Sequence, residues 1–393
     1  MSNAQPQPQP RSDPPAGGSL GAGPAGHPAA VQAAQPAGIL AAGWLAPAFN
    51  QGWTYRDRPG PGLASGTSAA SFYASRYGHS DQAVWLARIT AGEVTCNGRR
   101  LQADATLTAG DRLAWQRPPW QEAAVPDLPG PLFDDGDLLV IDKPSGLPVL
   151  PAGGWLEHTV LRLLERRHHH DPAGLPRPVH RLGRFTSGLL VCARKPQTRA
   201  WLSARLREST AQDPSQGEPL AGEGCRKLYR ALVVPGVLAL EPGEARLIEV
   251  PIGRRAHPQL GQLWCAAEGS GPGDRSACSS LRLLQRGTQA DLVQVAIASG
   301  RPHQIRIHCA AVGAPLLGDP LYGPGGLALP GALPGDGGYQ LQAWRLELER
   351  PGGGDRLEWE APLALELGND ALKREGAAAG ASRLAFNADG QQG

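Results

Sequence analysis

The sequence lacks the features that would mark a membrane or a secreted protein. It contains no apolar run of about 18 residues, the minimum for a membrane-spanning helix. Its first residues, MSNAQPQPQPRSD, lack the basic start and the apolar stretch of a secretory signal. We therefore expect a cytoplasmic protein that does not enter a membrane.

Cysteine is scarce as well. The six cysteines form no CxxC pair, so their spacing indicates neither a zinc site nor a disulfide framework. The tract His168-His169-His170 is more typical of a polar helix end or loop than of a metal site. His303 and His308 lie five positions apart, which does not suit joint metal binding on one helix. We expect reduced thiols and no metal.

Charged residues make up only 19% of the chain, and the net charge is +2. Residues 161–210 are the exception, since they contain 11 Lys and Arg against three Asp and Glu. A basic island in a nearly neutral protein indicates a surface that faces a polyanion. At 393 residues and 41% hydrophobic content, the chain can form two domains with real cores.

Glycine and proline are abundant but unevenly distributed. Residues 1–48 consist mostly of Ala, Gly, Pro and Gln, and the tail 368–393 is similar, so we expect both to be disordered. Two internal stretches, Gln212–Gly224 and Glu268–Arg275, have the composition of loops. The rest of the chain has an ordinary globular composition.

A small α+β module is predicted at residues 53–117. Apolar residues recur at helical spacing in Ser68–Tyr77 and Asp81–Thr90. Asn97-Gly98 stands between two short alternating runs and predicts a hairpin. The Pro-rich residues 118–131 have the composition of a linker.

Residues 132–367 are predicted to form a second, larger α+β domain. Strands outnumber helices and stand singly between irregular segments, which favours a mixed, mostly antiparallel sheet over a regular βαβ series. The predicted strands are DLLVIDK, SGLLVCAR, KLYRALVV and ADLVQVAIAS. The predicted helices are TVLRLLERR, PQTRAWLSARLRE and HQIRIHCAAVG, the last of which ends at Gly313.

Four segments combine Arg, His, Thr or Tyr with glycines at the end of an apolar run, where functional sites are often built. They are PVHRLGRFTSGLLVCAR (178–194), KLYRALV (227–233), SGRPHQIRIHCAAVG (299–313) and GDPLYG (318–323). Taken singly, each has a purely structural interpretation, since Arg is normally exposed and Tyr229 could belong to the core. Thr186-Ser187-Gly188 is not a GxSxG nucleophile elbow, which disfavours a serine hydrolase.

In their order, these segments resemble the RluA-type pseudouridine synthases, from Leu132 to Pro351. DLLVIDKPSGLPV is similar to the opening strand and turn of that family, and VHRLGRFTSGLLVCAR is similar to its catalytic loop. Residues 53–117 resemble the small RNA-binding domain of ribosomal-protein ancestry that often precedes this catalytic domain, through IxxGxVxxNG and AGD. Several motifs in the correct order make a far more specific signal than any one of them.

The resemblance implies an isomerase that converts uridine to pseudouridine in ribosomal or transfer RNA, without cofactor or metal. It implies that Tyr229 stacks on the uracil, that Arg306 pairs with the catalytic carboxylate, and that Arg181 contacts RNA near the vacated base position. The base must leave its stack to react. Further candidate RNA contacts are His180, Arg184, Thr186, Arg301 and His303 in the larger domain, and Arg88, Arg99 and Arg100 in the module.

One position departs from the family pattern. The family loop has an Asp directly after His-Arg-Leu, whereas this chain has Gly183. Glycine can be neither nucleophile nor base. Arg306 would then have lost its partner, and a buried unpaired guanidinium is costly. Three outcomes are open: Asp319 or another acid pairs with Arg306, its charge awaits an RNA phosphate, or it is exposed.

Two hypotheses of different class follow. The first is an active isomerase in which a displaced carboxylate replaces the Asp. The second is an RNA-binding protein without chemistry that acts in RNA folding or assembly. A metal hydrolase that uses His168–His170 is a third and weaker alternative.

Overall fold

A computed structural model describes residues 49–77, 80–207, 225–258, 261–297, 300–331, 338–353 and 356–367. The predicted disordered arm 1–48 and tail 368–393 lie outside the described residues. The predicted loop Gln212–Gly224 lies outside them too.

Residues 53–117 form an antiparallel four-stranded sheet and two helices. The helices are α1 (Ala69–Arg76) and α2 (Gln82–Thr90), and the strands are β1 (Trp53–Asp57), β2 (Val94–Cys96), β3 (Arg99–Arg100) and β4 (Leu113–Arg117), in the spatial order β1-β4-β2-β3. Both predicted helices are confirmed. Ser68 and Asp81 cap them, because their side chains accept hydrogen bonds from the backbone N–H groups of Ser71 and Val84.

The predicted hairpin is confirmed as well. Asn97 and Gly98 connect β2 to β3 with φ values of 53° and 84°, as a two-residue turn of type I′ requires. The core beneath the sheet is aromatic: the rings of Tyr73 and Trp85 stack with centroids 4.6 Å apart, and Trp115 meets Trp85 edge-on at 4.7 Å. These rings supply much of the apolar area that stabilises so small a unit.

The segment after β4 connects the two parts of the described chain. The buried Glu122 accepts hydrogen bonds from the side-chain amide of Asn50 and from the backbone N–H groups of Glu157 and His158. The Trp120 indole donates to the carbonyl of Gly154 at 2.8 Å. These bonds attach the predicted linker, residues 118–131, to residues 154–158.

The larger part of the chain is built on one ten-stranded sheet. Its strands are β5 (Pro131–Asp134), β6 (Leu138–Lys143), β7 (Arg177–Pro178), β8 (Thr186–Ala193), β9 (Cys225–Val233), β10 (Ala245–Ile248), β13 (Ser279–Gln285), β14 (Asp291–Ile297), β15 (Leu341–Glu349) and β16 (Arg356–Glu360). Their order is β10-β13-β14-β9-β15-β8-β6-β5, with β16 beside β15 and β7 beside β8. A separate hairpin joins β11 (Ile252–His257) to β12 (Gly261–Ala266).

The helices of this part are α3 (Val160–Arg167), α4 (Pro196–Arg207) and α5 (Gln304–Ala311), and a 3-10 turn covers Pro324–Gly326. All three predicted helices are confirmed. Among the described strands β8 and β15 pair in parallel and the other pairs are antiparallel, so the prediction of a mixed, mostly antiparallel α+β fold is confirmed. Within the described ranges, no helix is both long and apolar enough to cross a membrane.

Gly188 allows β8 and β15 to approach each other closely. Its φ is +96°, and a Cβ at this position would lie 2.2 Å from the carbonyl oxygen of Ala343. Any other residue would clash with the backbone of β15 and adopt a strained conformation. The resulting register pairs Thr186 with Leu341, which brings the end of the predicted catalytic loop next to the start of β15.

Candidate active site

Gly183 lies at the surface, in the loop that leads into β8. Its carbonyl accepts a hydrogen bond from the N–H of Thr186 at 3.0 Å. The buried ring of His180 steadies the start of the loop, because its Nε2 accepts a bond from the N–H of Val191 at 3.0 Å. Burial lowers the pKa of His180 to about 3, so the ring is neutral and its other nitrogen, Nδ1, carries the proton.

A buried lysine holds the other side of the loop. Lys143 Nζ donates to the carbonyls of Pro144, Leu147 and Arg184 at distances of 2.7, 2.9 and 3.0 Å. Burial lowers the pKa of this ammonium group to about 7. The N–H of Gly146 also donates to the carbonyl of Arg184. The turn after β6, whose sequence is KPSG, thereby sets the position of the loop.

Tyr339 fills the space that a side chain at position 183 would occupy. A Cβ on Gly183 would lie 2.2 Å from the Tyr339 hydroxyl oxygen and 3.2 Å from Thr186 Oγ1. The two hydroxyl groups are 3.3 Å apart. Tyr339 is only 5% exposed, so its ring is held in the core while its hydroxyl reaches the loop. Sequence reasoning missed this residue, because GDGGYQ has the composition of an ordinary loop.

Arg306 is buried and paired. Only 4% of it is exposed, and its Nε and Nη2 both lie 2.7 Å from the carboxylate oxygens of Asp319. Burial by itself lowers the pKa of Arg306, but the hydrogen bonds and charge of Asp319 raise it above its usual value. Of the three outcomes left open by the sequence, the structure therefore shows the pair with Asp319.

Asp319 is engaged in four structural hydrogen bonds. Besides both bonds from Arg306, its Oδ1 accepts the backbone N–H groups of Leu321 at 2.9 Å and Tyr322 at 3.4 Å. Its side chain is fully buried. A carboxylate in this position stabilises the turn of GDPLYG and neutralises Arg306.

Aromatic rings and cations alternate across the site, in an arrangement that we call the aromatic–cation row. The guanidinium of Arg184 lies 4.3 Å from the Trp155 ring and 4.2 Å from the Phe185 ring. Phe185 meets Tyr339 edge-on at 5.9 Å. On the far side of Tyr339, the guanidinium of Arg306 lies 4.2 Å from its ring and 5.0 Å from that of Tyr322. Such contacts hold planar groups in register and stabilise the buried cations.

His303 closes the row at the start of α5. It adopts a left-handed conformation with φ of 56°, and its Nδ1 lies 2.7 Å from the hydroxyl of Tyr322. Because that hydroxyl donates its proton to the carbonyl of Trp264, the Nδ1 of His303 must carry a proton and donate. Burial lowers the pKa of His303 to about 3, so its ring is neutral.

Tyr229 lies at the centre of the sheet, on β9, opposite Val295 on β14 and Ala343 on β15. Its half-buried ring packs against two core clusters, one containing Tyr339 and the other Leu182, which precedes Gly183. Burial raises the pKa of its hydroxyl well above the usual range. The phenol is therefore neutral.

The structure brings some of the predicted site residues to one place. Gly183, Thr186 and Arg306 border Tyr339, and Arg184 stacks on Phe185, which meets Tyr339 edge-on. Arg181 is exposed on the same loop, two positions before Gly183. Arg301 precedes α5, and its Nε donates to the carbonyl of Ser276 at 3.2 Å.

Arg88 and Arg99 belong to the module of residues 53–117. The guanidinium of Arg88 stacks on the rings of Trp85 and Trp115 at 4.4 and 4.7 Å, and burial lowers its pKa. Arg99 is exposed on β3 beside Arg100, which is exposed too. RNA contacts by these three residues stay predictions.

The basic stretch 161–210 is partly neutralised within the fold. The buried Arg194 pairs with Asp134 and Asp171 at distances of 2.7 and 3.1 Å. Arg162, Arg166 and Arg177 pair with carboxylates as well. The positive surface available to a polyanion is therefore smaller than the sequence suggests, and Arg181 is one of its exposed members.

The histidine tract has local partners. His168 Nδ1 lies 2.9 Å from Asp171, and His169 Nδ1 lies 3.0 Å from the carbonyl of Arg166. In the described part of the chain, no three His, Cys, Asp or Glu side chains converge in a way that could hold a metal ion.

Comparison with known proteins identifies the family. Residues 137–311 match the family model described as RNA pseudouridylate synthase. The chain is 39% identical over 298 residues to an uncharacterized RNA pseudouridine synthase of Synechocystis sp., an alignment that covers 75% of this chain and 94% of the relative. It is 35% identical over 379 residues to RNA pseudouridine synthase 5 of Oryza sativa, covering 86% and 94%.

A third relative is ribosomal large subunit pseudouridine synthase D of Nitrosomonas europaea, 34% identical over 239 residues, with 59% of this chain and 61% of the relative covered. The chain thus belongs to the RluA-type RNA pseudouridine synthases, isomerases that convert uridine in RNA to pseudouridine. The resemblance seen in the sequence motifs is confirmed.

Proposed function

We propose that this chain isomerises uridine to pseudouridine in a structured ribosomal or transfer RNA, without metal or cofactor. The observation that carries the proposal is the convergence of distant motifs at Gly183. The loop 179–185, the buried Arg306 and the GDPLYG turn meet around one tyrosine ring and one ion pair. The ribosomal relative named above supports a ribosomal substrate.

Within this proposal, Gly183 takes the position of the catalytic Asp of the family. The exposed Arg181 enters the RNA near the vacated base, and Tyr229 stacks on the uracil. Arg306 holds negative charge at the site. The remaining contacts with RNA come from His180, Arg184, Thr186, Arg301 and His303, of which His180 acts through the loop that it steadies.

The proposed division of labour follows the predicted domains. Residues 53–117 act as the RNA-binding module through Arg88 and Arg99, residues 118–131 connect, and residues 132–367 hold the catalytic site. The exposed side chains of Arg99 and Arg100 suit phosphate contacts. We propose that the protein works in the cytoplasm.

A second function has one observation in its favour. Gly183 has no side chain, and Asp319, the acid nearest to Arg306, is fully engaged in structural bonds. The same fold could therefore bind RNA without chemistry and serve in RNA folding or assembly.

Tritium release separates the two functions. Total RNA labelled at carbon five of uridine, from cells that lack this protein, is incubated with the purified chain. Isomerisation exchanges the carbon-five hydrogen for a carbon bond, so an isomerase releases tritium to water. Release above the no-protein control supports the enzyme. RNA that binds in a filter assay without any release supports the second function.

A further inference from the structure

We propose that Tyr339 is the catalytic nucleophile of this chain and takes the role of the Asp that follows His-Arg-Leu in the family loop. This inference rests on the proposed isomerase function. It replaces the hypothesis of a displaced carboxylate with a phenol supplied by the segment that precedes β15.

The position of the hydroxyl carries the inference. The Tyr339 oxygen lies 2.2 Å from the place of a Cβ on Gly183, so it stands where the side chain of the loop residue would begin. Gly183 itself is exposed, which leaves this oxygen covered by a residue without a side chain. Glycine at 183 and tyrosine at 339 are therefore sterically dependent on each other: a larger residue at 183 would displace the hydroxyl.

Other groups near Gly183 are less suitable. Asp319 is fully buried and accepts four hydrogen bonds from Arg306, Leu321 and Tyr322. Thr186 Oγ1 is close, but an aliphatic alcohol is a much weaker acid than a phenol, which ordinarily ionises near pH 10. Tyrosine is also an established nucleophile in glycoside cleavage, which involves the same type of sugar carbon.

Polar groups border the Tyr339 hydroxyl and its ring. The guanidinium of Arg306, which is paired with Asp319, lies 4.2 Å from the centroid of the Tyr339 ring in a buried site. The Thr186 hydroxyl, 3.3 Å away, can donate a hydrogen bond to the developing anion. Phe185 packs edge-on against the ring and limits its rotation.

The reaction balances with these groups alone. The Tyr339 oxygen attacks C1′ of the ribose and gives up its proton, while the C1′–N1 bond breaks and its electron pair leaves with the uracil, which takes up a proton at N1. The uracil turns, and its C5 attacks C1′. The bond from C1′ to the tyrosine oxygen breaks, C5 loses its proton to water, and the phenolate regains one. The product is an isomer of the substrate.

The first test is Tyr339→Phe, which removes one oxygen and retains the ring. We expect tritium release to fall by at least about 10³-fold, the scale on which removal of a nucleophile acts. RNA affinity should stay within about twofold, because the lost contact with Thr186 is a single long hydrogen bond. The matched control is Tyr73→Phe, which removes a buried hydroxyl without a hydrogen-bond partner in the described structure of the module, and should keep full activity.

The second test restores the family arrangement. In the double variant Gly183→Asp/Tyr339→Phe, the ring at position 339 comes closest to the new Cβ at its Cζ atom, 3.5 Å away, which is an ordinary contact. Thr186 Oγ1 lies 3.2 Å from that Cβ and must shift slightly. We expect this double variant to release tritium at least about tenfold faster than Tyr339→Phe. A structural role for the hydroxyl would not allow rescue by a carboxylate on another segment.

A third measurement reads the phenol directly. Replacement of Tyr339 by a ring-fluorinated tyrosine, a stronger acid, should shift the rising limb of the pH–rate profile toward lower pH. Absence of tritium release by the wild-type chain would refute the proposed function itself. Two results would overturn the role of Tyr339 alone. One is tritium release by the wild type that persists in Tyr339→Phe, and the other is a pH–rate profile whose rising limb does not move on fluorination.

Discussion

The ammonium nitrogen of Lys143 lies 3.0 Å from the carbonyl oxygen of Arg184, so a buried charge on β6 holds the loop that contains Gly183. The same nitrogen bonds two carbonyls of its own turn. An ammonium group has three N–H donors, which match these three carbonyl acceptors. No neutral side chain of similar length offers three donors.

The first prediction concerns pH. The pKa of Lys143 falls from 10.5 to about 7 on folding, so between these values the unfolded chain binds more protons than the folded one. The contribution of Lys143 to the free energy of unfolding therefore rises with pH across this window, by up to about 1.4 kcal/mol per pH unit, and is constant below it. Urea unfolding of the wild type and Lys143→Met at pH 7 and pH 9 measures this difference. Parallel pH dependence of the two proteins would contradict it.

The second prediction concerns the contact of β8 with β15. Gly188→Ala places a Cβ 2.2 Å from the backbone oxygen of Ala343 and should lower the free energy of unfolding by about 3 kcal/mol or more. Gly110→Ala is the control, since its φ is +93° and nothing lies within 4 Å of its Cβ position. The control should cost only about 1 kcal/mol. If both variants lose the same free energy of unfolding, glycine is needed at position 188 because of its φ angle and not because of the strand contact.

The third prediction concerns the buried ion pair. Asp319→Leu leaves Arg306 buried without its partner and should destabilise the protein by about 3–5 kcal/mol. Arg306→Met/Asp319→Leu removes both charges and should be more stable than Asp319→Leu alone. Denaturant unfolding of the four proteins of the cycle measures the coupling. If the free energy of unfolding that the double variant loses equals the sum of the losses in the two single variants, the two residues act independently.

The fourth prediction concerns the dependence between positions 183 and 339. Gly183→Asp should destabilise the wild-type chain by at least about 1 kcal/mol more than it destabilises Tyr339→Phe, because the Tyr339 hydroxyl is the closest obstacle to the new Cβ. Melting temperatures of the four proteins test this without any activity assay. Equal shifts in both backgrounds would mean that the two positions do not compete for space.

The fifth prediction concerns Arg181. If this exposed residue contacts phosphate, Arg181→Ala should reduce the slope of log affinity against log salt concentration by about 1. Arg350→Ala is the control, because Arg350 is also partly exposed but pairs with Asp135 at 3.0 Å. Filter binding to a structured RNA at several salt concentrations measures both slopes. A slope that Arg181→Ala leaves unchanged would remove Arg181 from the proposed RNA contacts.

Local signals in the sequence were sufficient for the helices and for the family. Ser68, Asp81 and Thr159 cap their helices as short polar residues before apolar runs do. The motifs of the four segments are short and contiguous, so their order could be recognised without knowledge of the fold. Strands β13 and β15 were not predicted from SSLRLLQ and LQAWRLELE. Both segments contain several polar or charged residues, and their place in the sheet depends on pairing with distant strands.

The amino-acid sequence by itself determined the α+β class, the helices, the hairpin and the family, since each depends on residues close together in the chain. It also showed that residue 183, in the loop after His180-Arg181-Leu182, is a glycine without a side chain. Only the tertiary structure decided which groups surround that glycine. The pairing of Arg306 with Asp319 and the placement of Tyr339 beside Gly183 join residues 13 and 156 positions apart. Such contacts arise from strand register and close packing, which no local pattern encodes.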